Sequence, residues 1–306
     1  MGVANHMSLA AAIAKACKED GAEVIITHHP DPMFKKHATK FAKNAGIADT
    51  HVLECDVLDG DSIDRCFDSV SAIGQLNGFA HCVAYTDPKY LNGSFLDAIQ
   101  TDDFEENFDN TMRISVRSFL KLAARAMNHM RDGGSMLTLT YDAANHVIEK
   151  YNLMTGAKGA LDAYMRLLAY ELGEFGIRVN AISASPVKTP SGLAVENAYL
   201  LGHFDEAMSP LGRRATHEEI ANEAAYLMSD RSTAITGQLR FVNCGRNIVG
   251  RFPTRNTPLV MKSLGVDPEG HASHPATEEP FPINHQDLPR RGDYLTNDAG
   301  GVEGAG

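Results

Sequence analysis

The stretch Leu137-Thr-Leu-Thr-Tyr141-Asp-Ala-Ala-Asn-His-Val-Ile-Glu-Lys-Tyr151-Asn-Leu-Met154-Thr-Gly-Ala-Lys158 constrains this chain more than any other part of it. Met136 to Thr140 alternate apolar and β-branched polar residues, which predicts a short strand running into a loop. Beyond the loop, Leu161, Tyr164, Leu167, Leu168 and Leu172 recur at three and four, the apolar stripe of a long helix. A strand handing over to a helix through a loop is the unit of open α/β sheets, which bind ligands outside the carboxyl ends of their strands. Tyr141 falls at that edge. Tyr151 and Lys158 stand seven residues apart, two helical turns, so their side chains share one face. Two phenols and one ammonium are thus expected to converge on one crevice.

Such a trio allows only a narrow chemistry. A phenol with its ordinary pKa of about 10 is a poor acid at neutral pH. A nearby ammonium is expected to lower that value by favouring the phenolate, so that the tyrosine can donate to a developing oxyanion. Lysine, with three donors and no acceptor, also suits the hydroxyls of a nucleotide ribose. A lone tyrosine is ordinarily half-buried with a satisfied hydroxyl and says nothing about function. The spacing carries the inference here.

On these residues the chain resembles the short-chain dehydrogenase/reductase superfamily, and within it the NADH-dependent enoyl-acyl-carrier-protein reductases of bacterial fatty-acid synthesis. Ketoreductases of the superfamily carry Tyr-x-x-x-Lys with a serine thirteen residues before the tyrosine; counted back from Lys158, those places hold Met154 and Tyr141. The enoyl reductases carry a tyrosine, six residues and a lysine, with a second tyrosine ten residues upstream, matched by Tyr141, Tyr151 and Lys158. The resemblance implies a Rossmann-like α/β fold, a doubly wound parallel sheet with helices on both faces. It implies NADH as cofactor, an enoyl thioester on acyl carrier protein as substrate, and a homotetramer. It also implies that Tyr151 meets the thioester oxygen, that Lys158 anchors the ribose and that Tyr141 shapes the substrate side.

The 306 residues accommodate one such domain with appendages. A net charge of −11 without a Lys/Arg run excludes nucleic acid and anionic membrane as expected partners. No apolar stretch approaches the roughly 20 residues of a membrane span, and no signal-peptide core opens the chain. The five cysteines (17, 55, 66, 82 and 244) lack metal or redox spacing and read as reduced thiols of a cytoplasmic protein. The thirteen histidines show no metal-ligand pairing, so no metal is expected.

In chain order, Gly2 precedes a helix capped by Ser8 and running to about Lys18. Glycine lets backbone approach phosphate, and a helix start supplies donors and a positive dipole end. The family places its pyrophosphate turn here, which implies cofactor contacts from Gly2, Ser8 and Leu9. The family's first strand would precede Gly2. The expectation is that the strand is missing because the start was assigned too far downstream, Met1 standing inside the strand's own end; its absence would leave both neighbouring strands with an unpaired edge.

Glu23–Thr27 predicts a strand ending at His28-His29, where Rossmann-like folds meet the adenine ribose. The resemblance puts His29 on the adenosine, with no arginine for a 2′-phosphate, hence NADH. Val52–Cys55 predicts a third strand, and Asp56 and Val57 are implied adenine contacts. A helix is expected from Asp61 to Ile73, and a fourth strand with its exit turn over Gly78–Ala84. Val83 and Ala84 are implied cofactor contacts, with Tyr85 and Thr86 on the substrate side; the family usually has glycine at Ala84. A single helix is expected from about Phe104 to Met130, striped by Phe108, Met112, Ser115, Phe119, Leu122 and Ala126. Arg113 stands where the family usually has aspartate.

Gly176–Ala184 predicts a strand with Asn180 as a polar insert. In the Ser185-Pro-Val-Lys-Thr189 turn, the resemblance implies that Pro186, Val187 and Thr189 clasp the nicotinamide carboxamide and phosphates; Ser185 replaces a usual glycine. Pro190 to about Gly212 reads as an apolar lid. A helix over Glu218–Ser229 and a last strand over Gln238–Asn243 follow. Asn243-Cys244-Gly245 departs from the family's Asp-[Gly/Ala]-Gly. Residues 1–251 are read as the reductase domain. Residues 252–306 hold seven of the thirteen prolines and a glycine-rich end, and read as a disordered or loosely wrapped tail draped along a neighbouring subunit. These departures leave two other readings open, a divergent reductase of another activated alkene or carbonyl, and a non-catalytic relative.

Overall fold

Strands covered by helices on both faces must be apolar on both faces, and the central strands of this chain are. The computed structural model describes residues 1–189, 192, 195 and 198–250. Met1–Val260 make one compact unit. A second, Met261–Gly306, lies outside the described residues, as does the whole predicted tail 252–306.

The described elements run α1 (Leu9–Glu19), β1 (Ile26–His28), α2 (Pro32–Ala45), β2 (Val52–Glu54), α3 (Gly60–Ile73), β3 (Gly78–His81), α4 (Phe95–Ile99), α5 (Phe104–Met112), α6 (Ser118–Met127), β4 (Gly134–Thr140), α7 (Asn152–Leu172), β5 (Ile177–Ala184), α8 (Ala198–Met208), α9 (His217–Met228) and β6 (Leu239–Val242). All strand pairs are parallel: β1 with β2, and β3, β4, β5, β6 side by side. Residues 1–3 occupy the place between β1 and β3. The Met1 amino group donates to the Ala80 carbonyl at 2.8 Å, and the Cys82 amide donates to the Met1 carbonyl at 3.3 Å. On the other side the Val3 amide donates to the Thr27 carbonyl at 2.8 Å. Three residues thus hold the first-strand position of a doubly wound sheet, and the inner edges of β1 and β3 meet them.

Side-chain alternation sends Met136, Val179 and Ala181 to one face, where Phe67 of α3, Phe119 and Leu122 of α6, and Leu161 and Met165 of α7 cover them. Leu137, Ile182 and Ala184 point to the other, against Ile13 of α1 and Ile220 and Ala224 of α9. Asn180, fully buried on β5, has a structural reason to be there. Its amide donates to the Ile235 carbonyl at 2.9 Å and its oxygen accepts from the Gln238 amide at 3.0 Å, tying the approach of β6 to β5.

Two expectations are corrected. The strand read over Glu23–Thr27 is displaced to Ile26–His28, because ladder partners exist only at Val52–Glu54. The single helix from Phe104 to Met130 is three pieces, broken by a π-helical turn at Arg113–Arg117 and ending at Met127. A π-turn inserts one extra residue and turns later side chains around the axis. Ser115, Phe119, Leu122 and Ala126 are fully buried, whereas Phe108, ahead of the turn, is exposed.

Candidate active site

The site lies along the carboxyl ends of the strands, and its residues come from six connections. At the first, Gly2 has φ +87°; a Cβ there would stand 2.9 Å from Val83 Cγ2 and 3.1 Å from the Cys82 carbonyl oxygen. Only glycine fits that close approach in that conformation. Ser8 caps α1, its hydroxyl accepting from the Ala11 amide at 3.3 Å, and Leu9 opens the helix. No acidic side chain stands in the first turn, so the positive end of this helix is left for an anion. This glycine cradle and bare helix start fit the pyrophosphate of a dinucleotide.

At the second connection His29 is exposed, its ring edge-on to Phe34 and accepting from the Asp31 amide through Nδ1 at 3.2 Å. At the third, Asp56 and Val57 are half-buried, and Asp56 Oδ1 accepts from the Leu58 amide at 2.9 Å, which fixes the carboxylate. The fourth carries Val83, Ala84, Tyr85 and Thr86. Ser115, brought round by the π-turn, both accepts from the Tyr85 amide and donates to the Tyr85 carbonyl, each at 3.1 Å. Thr111 donates to the buried Thr86 hydroxyl at 2.8 Å. The helix therefore clamps this loop at two successive residues and leaves the Tyr85 ring half-exposed. At the end of β5, Pro186 and Val187 are half-buried, and Thr189 Oγ1 accepts from the Gly192 amide at 3.0 Å. Ser185 is buried and accepts from the Ala215 amide at 3.3 Å. Of the predicted lid, α8 is described, while residues 190, 191, 193, 194, 196 and 197 lie outside the described residues.

The central trio comes from β4 and α7. Tyr141 leaves β4 in extended conformation, and its ring meets Tyr151 edge to face, centroids 5.1 Å apart at 62°. Tyr151 immediately precedes α7 and has Lys150 at φ 65° and Asn152 at φ 29° on either side. Left-handed backbone at non-glycine residues costs of order 1 kcal/mol each and concentrates at functional positions. The Asn152 amide helps to hold the turn by donating to the Asn92 carbonyl at 3.2 Å. Two turns on, Lys158 is buried at 6 % exposure and donates to the Leu139 carbonyl at 2.9 Å.

One electrostatic expectation is overturned. Both phenols are pushed up, not down: Tyr151 by burial, and Tyr141 by burial first and then by Asp205, Tyr151 and Asp142. Lys158 exerts no such pull, because its ammonium is turned to the Leu139 carbonyl and is itself lowered to about 8 by burial. Tyr151 is therefore a firmly protonated donor at neutral pH.

Sequence reasoning missed the acidic residues around the trio. Asp205 of α8 lies 3.5 Å from the Arg246 guanidinium, and burial raises its carboxyl to about 6 despite that arginine. Asp142, adjacent to Tyr141, is buried and pairs with His146 Nδ1 at 3.0 Å. Asp162 is buried on α7, one turn beyond Lys158. A carboxylate interrupting the apolar run between Leu161 and Met165 was the readable signal for it.

Comparison with known proteins identifies the family. The sequence model described as Enoyl-(Acyl carrier protein) reductase matches residues 2–247. The chain is 42% identical over 251 residues to "Enoyl-[acyl-carrier-protein] reductase [NADH] 1" of Rhizobium meliloti (strain 1021), covering 82% of this chain and 89% of that protein. Among solved structures it is similar to FabI from Candidatus Liberibacter asiaticus, with a TM-score of 0.77 at 35% identity over 83% of this chain and 95% of that one. It is also similar to the enoyl-(acyl-carrier-protein) reductase of Anaplasma phagocytophilum in complex with NAD, with a TM-score of 0.75 at 37% identity over 83% and 92% of the two chains. The trio, the glycine cradle, the strand order and these likenesses agree: the chain belongs to the enoyl-(acyl carrier protein) reductase family of the short-chain dehydrogenase/reductase superfamily.

Proposed function

We propose that this protein is an NADH-dependent enoyl-acyl-carrier-protein reductase that saturates the 2,3-double bond of enoyl thioesters in fatty-acid elongation. The observation that carries this reading is the edge-to-face pair of Tyr141 and Tyr151 at the carboxyl end of β4, with Lys158 buried on α7 and bonded to the Leu139 carbonyl of that same strand. NADH, when bound, supplies the hydride that reaches the β-carbon of the substrate.

The protein's own groups hold the reactants and stabilise the charge that develops on the thioester oxygen. The Tyr151 phenol, kept protonated by burial, donates a hydrogen bond to that oxygen. A preorganised donor of this kind contributes about 3 kcal/mol to the transition state. Lys158 gives its remaining N–H donors to the ribose hydroxyls and keeps the local potential positive. Gly2, Ser8 and Leu9 receive the pyrophosphate, and His29, Asp56 and Val57 the adenosine. Val83, Ala84, Pro186, Val187 and Thr189 line the nicotinamide side. Tyr85, Thr86 and Tyr141 bound the acyl side.

The test is NADH oxidation dependent on a crotonyl thioester, in the full chain and in Lys158→Ala. We expect turnover in the parent and a fall of at least ~100-fold in kcat/KM in the variant, the scale of one lost charge-stabilising donor. Full activity in Lys158→Ala, or none in the parent on any enoyl thioester, sinks the reading.

The reading includes a homo-oligomer, a tetramer by family likeness, with residues 1–251 as the reductase domain of each subunit. Its support is an apolar face that one chain leaves open: Tyr164, Leu167 and Tyr170 on α7 and Phe108 on neighbouring α5 are all exposed. Sedimentation of a monomer at micromolar concentration would remove it. No helix among the described residues is long and apolar enough to cross a membrane, and all five cysteines are free thiols, which supports a cytoplasmic location.

A further inference from the structure

We infer that Asp162 is a positioning residue for Lys158, a buried carboxylate that keeps the amine charged and in place under the cofactor ribose; this rests on the reductase reading above. Asp162 follows Lys158 by four residues on α7, so the two side chains lie on one helix face, one turn apart. Both are buried, at 5 % and 6 % exposure. Lys158 spends one of its three donors on the Leu139 carbonyl. Asp162 Oδ1 is buried and has no hydrogen-bond partner among the described residues. The Thr140 hydroxyl stands between the Lys158 carbonyl oxygen, 3.5 Å away, and the Asp162 carboxylate, so the end of β4 locks both ends of the pair to the sheet.

An ammonium buried among apolar side chains favours its neutral form unless an opposite charge is close. On β3 and its exit, His81 and Cys82 face Lys158. His81 is lowered to about 3 by burial and is a neutral ring, bonded through Nδ1 to Thr138 and through Nε2 to Ser118. Cys82 is raised by burial and stays a thiol. On α7 itself Arg166, exposed one turn beyond Asp162, adds positive charge and supports the carboxylate. Among the described residues, Asp162 is therefore the carboxylate whose charge sustains the Lys158 ammonium. Burial pulls both partners toward neutrality, Lys158 down and Asp162 up, and their attraction opposes it in each. Removing Asp162 takes away the larger of the attractions that oppose burial at the Lys158 amine. The orphaned Oδ1 fits this role, because a purely structural carboxylate in the core would have both oxygens satisfied.

The test compares Asp162→Asn and Asp162→Glu in the full chain. The Lys158 amine is titrated in the cofactor-free protein by NMR of labelled lysine, its signal identified by its loss in Lys158→Met. NADH affinity is followed in parallel across pH by fluorescence. In the parent the amine titrates at about 8. In Asp162→Asn the midpoint falls by about one pH unit, the low end of what an adjacent opposite charge confers. NADH affinity near pH 7.5 then weakens about threefold, as the charged fraction drops. Asp162→Glu brings both back toward the parent. An unchanged midpoint in Asp162→Asn, whatever happens to melting temperature, overturns the proposal, and so does an equal displacement in Asp162→Glu. Should Asp162→Asn fail to fold, Asp162→Ser takes its place in the same titration. The cofactor-free titration decides this proposal even if the parent proves inactive on enoyl thioesters, an outcome that would refute the function reading alone.

Discussion

Two helix starts frame the cleft, and they are built on opposite terms. At α1 a glycine turn and a serine cap do everything that local helix stability asks, and the donors and dipole they leave facing outward are what a phosphate needs. Stability and binding point the same way there. At α7 the helix begins without a side-chain cap, with left-handed residues on both sides of Tyr151 and a buried ammonium two turns in. Each of those features costs stability. On the proposed mechanism, this chain gives up folding energy not in holding the cofactor's phosphates but in presenting one phenol and one amine to the reacting atoms.

The largest effect expected from this contrast is at Tyr151. Tyr151→Phe keeps the ring packed against Tyr141 and removes only the hydroxyl. Catalysis is predicted to fall about 10²-fold in kcat while NADH affinity, measured by fluorescence, stays at the parent value. An equal loss in affinity would mean that the hydroxyl serves binding, and the two helix starts would no longer differ in kind.

Lys158 gives the next test. Its folded-state value of about 8 lies below the ordinary 10.5, so between those values the unfolded chain holds a proton that the folded chain has released. The Lys158 contribution to stability therefore rises with pH across that window. Buried thiols and phenols, raised by burial, pull the other way. The measurement is accordingly the denaturation difference between the parent and Lys158→Met, in which those terms cancel. The stability advantage of the variant is predicted to shrink as pH rises from 8 to 10.5, by up to about 3 kcal/mol. A flat difference would mean that the amine is not paying a burial cost.

Smaller effects are expected at α1. Gly2→Ala forces a methyl to within 2.9 Å of Val83 Cγ2 at a backbone angle that L residues avoid. NADH affinity should weaken about tenfold, roughly 1.4 kcal/mol, with kcat at saturating cofactor little changed. Ser8→Ala is expected to cost about 1 kcal/mol of stability in chemical denaturation. If Ser8→Ala lowered kcat more than Tyr151→Phe does, the division of labour between the two helices would be wrong.

The elements that carry the trio were legible because their signals are local. The pattern around Met136–Thr140 and the apolar recurrence from Leu161 to Leu172 lie in β4 and α7 as read, and Ser8 caps its helix. Asn180 could be seen as an anomaly in a buried strand, but its partners at Ile235 and Gln238 are more than fifty residues away, so its purpose needed coordinates. The π-turn was invisible for a related reason. Arg113–Arg117 is ordinary helical sequence, and what favours the extra residue is the polar loop that Ser115 and Thr111 reach on another part of the chain. The direction of the phenol shifts was misjudged because the seven-residue spacing assumed a helix running through Tyr151, whereas α7 starts only at left-handed Asn152 and the Lys158 amine turns to the Leu139 carbonyl. The carboxylates Asp142, Asp162 and Asp205 escaped notice because an isolated aspartate in a sequence does not reveal whether water reaches it.

The π-turn also restricts how this enzyme can vary. One helical residue corresponds to about 100° of rotation, so deleting a single residue between Arg113 and Arg117 would swing either the Thr111 side or the Phe119 side of the segment away from its partner. The core would keep its grip only by unhooking Tyr85 and Thr86, or the loop would keep its grip only by exposing the core. Residue types in this segment are therefore freer to drift than its length. An engineer reshaping the Tyr85–Thr86 loop should swap side chains here and leave the residue count alone.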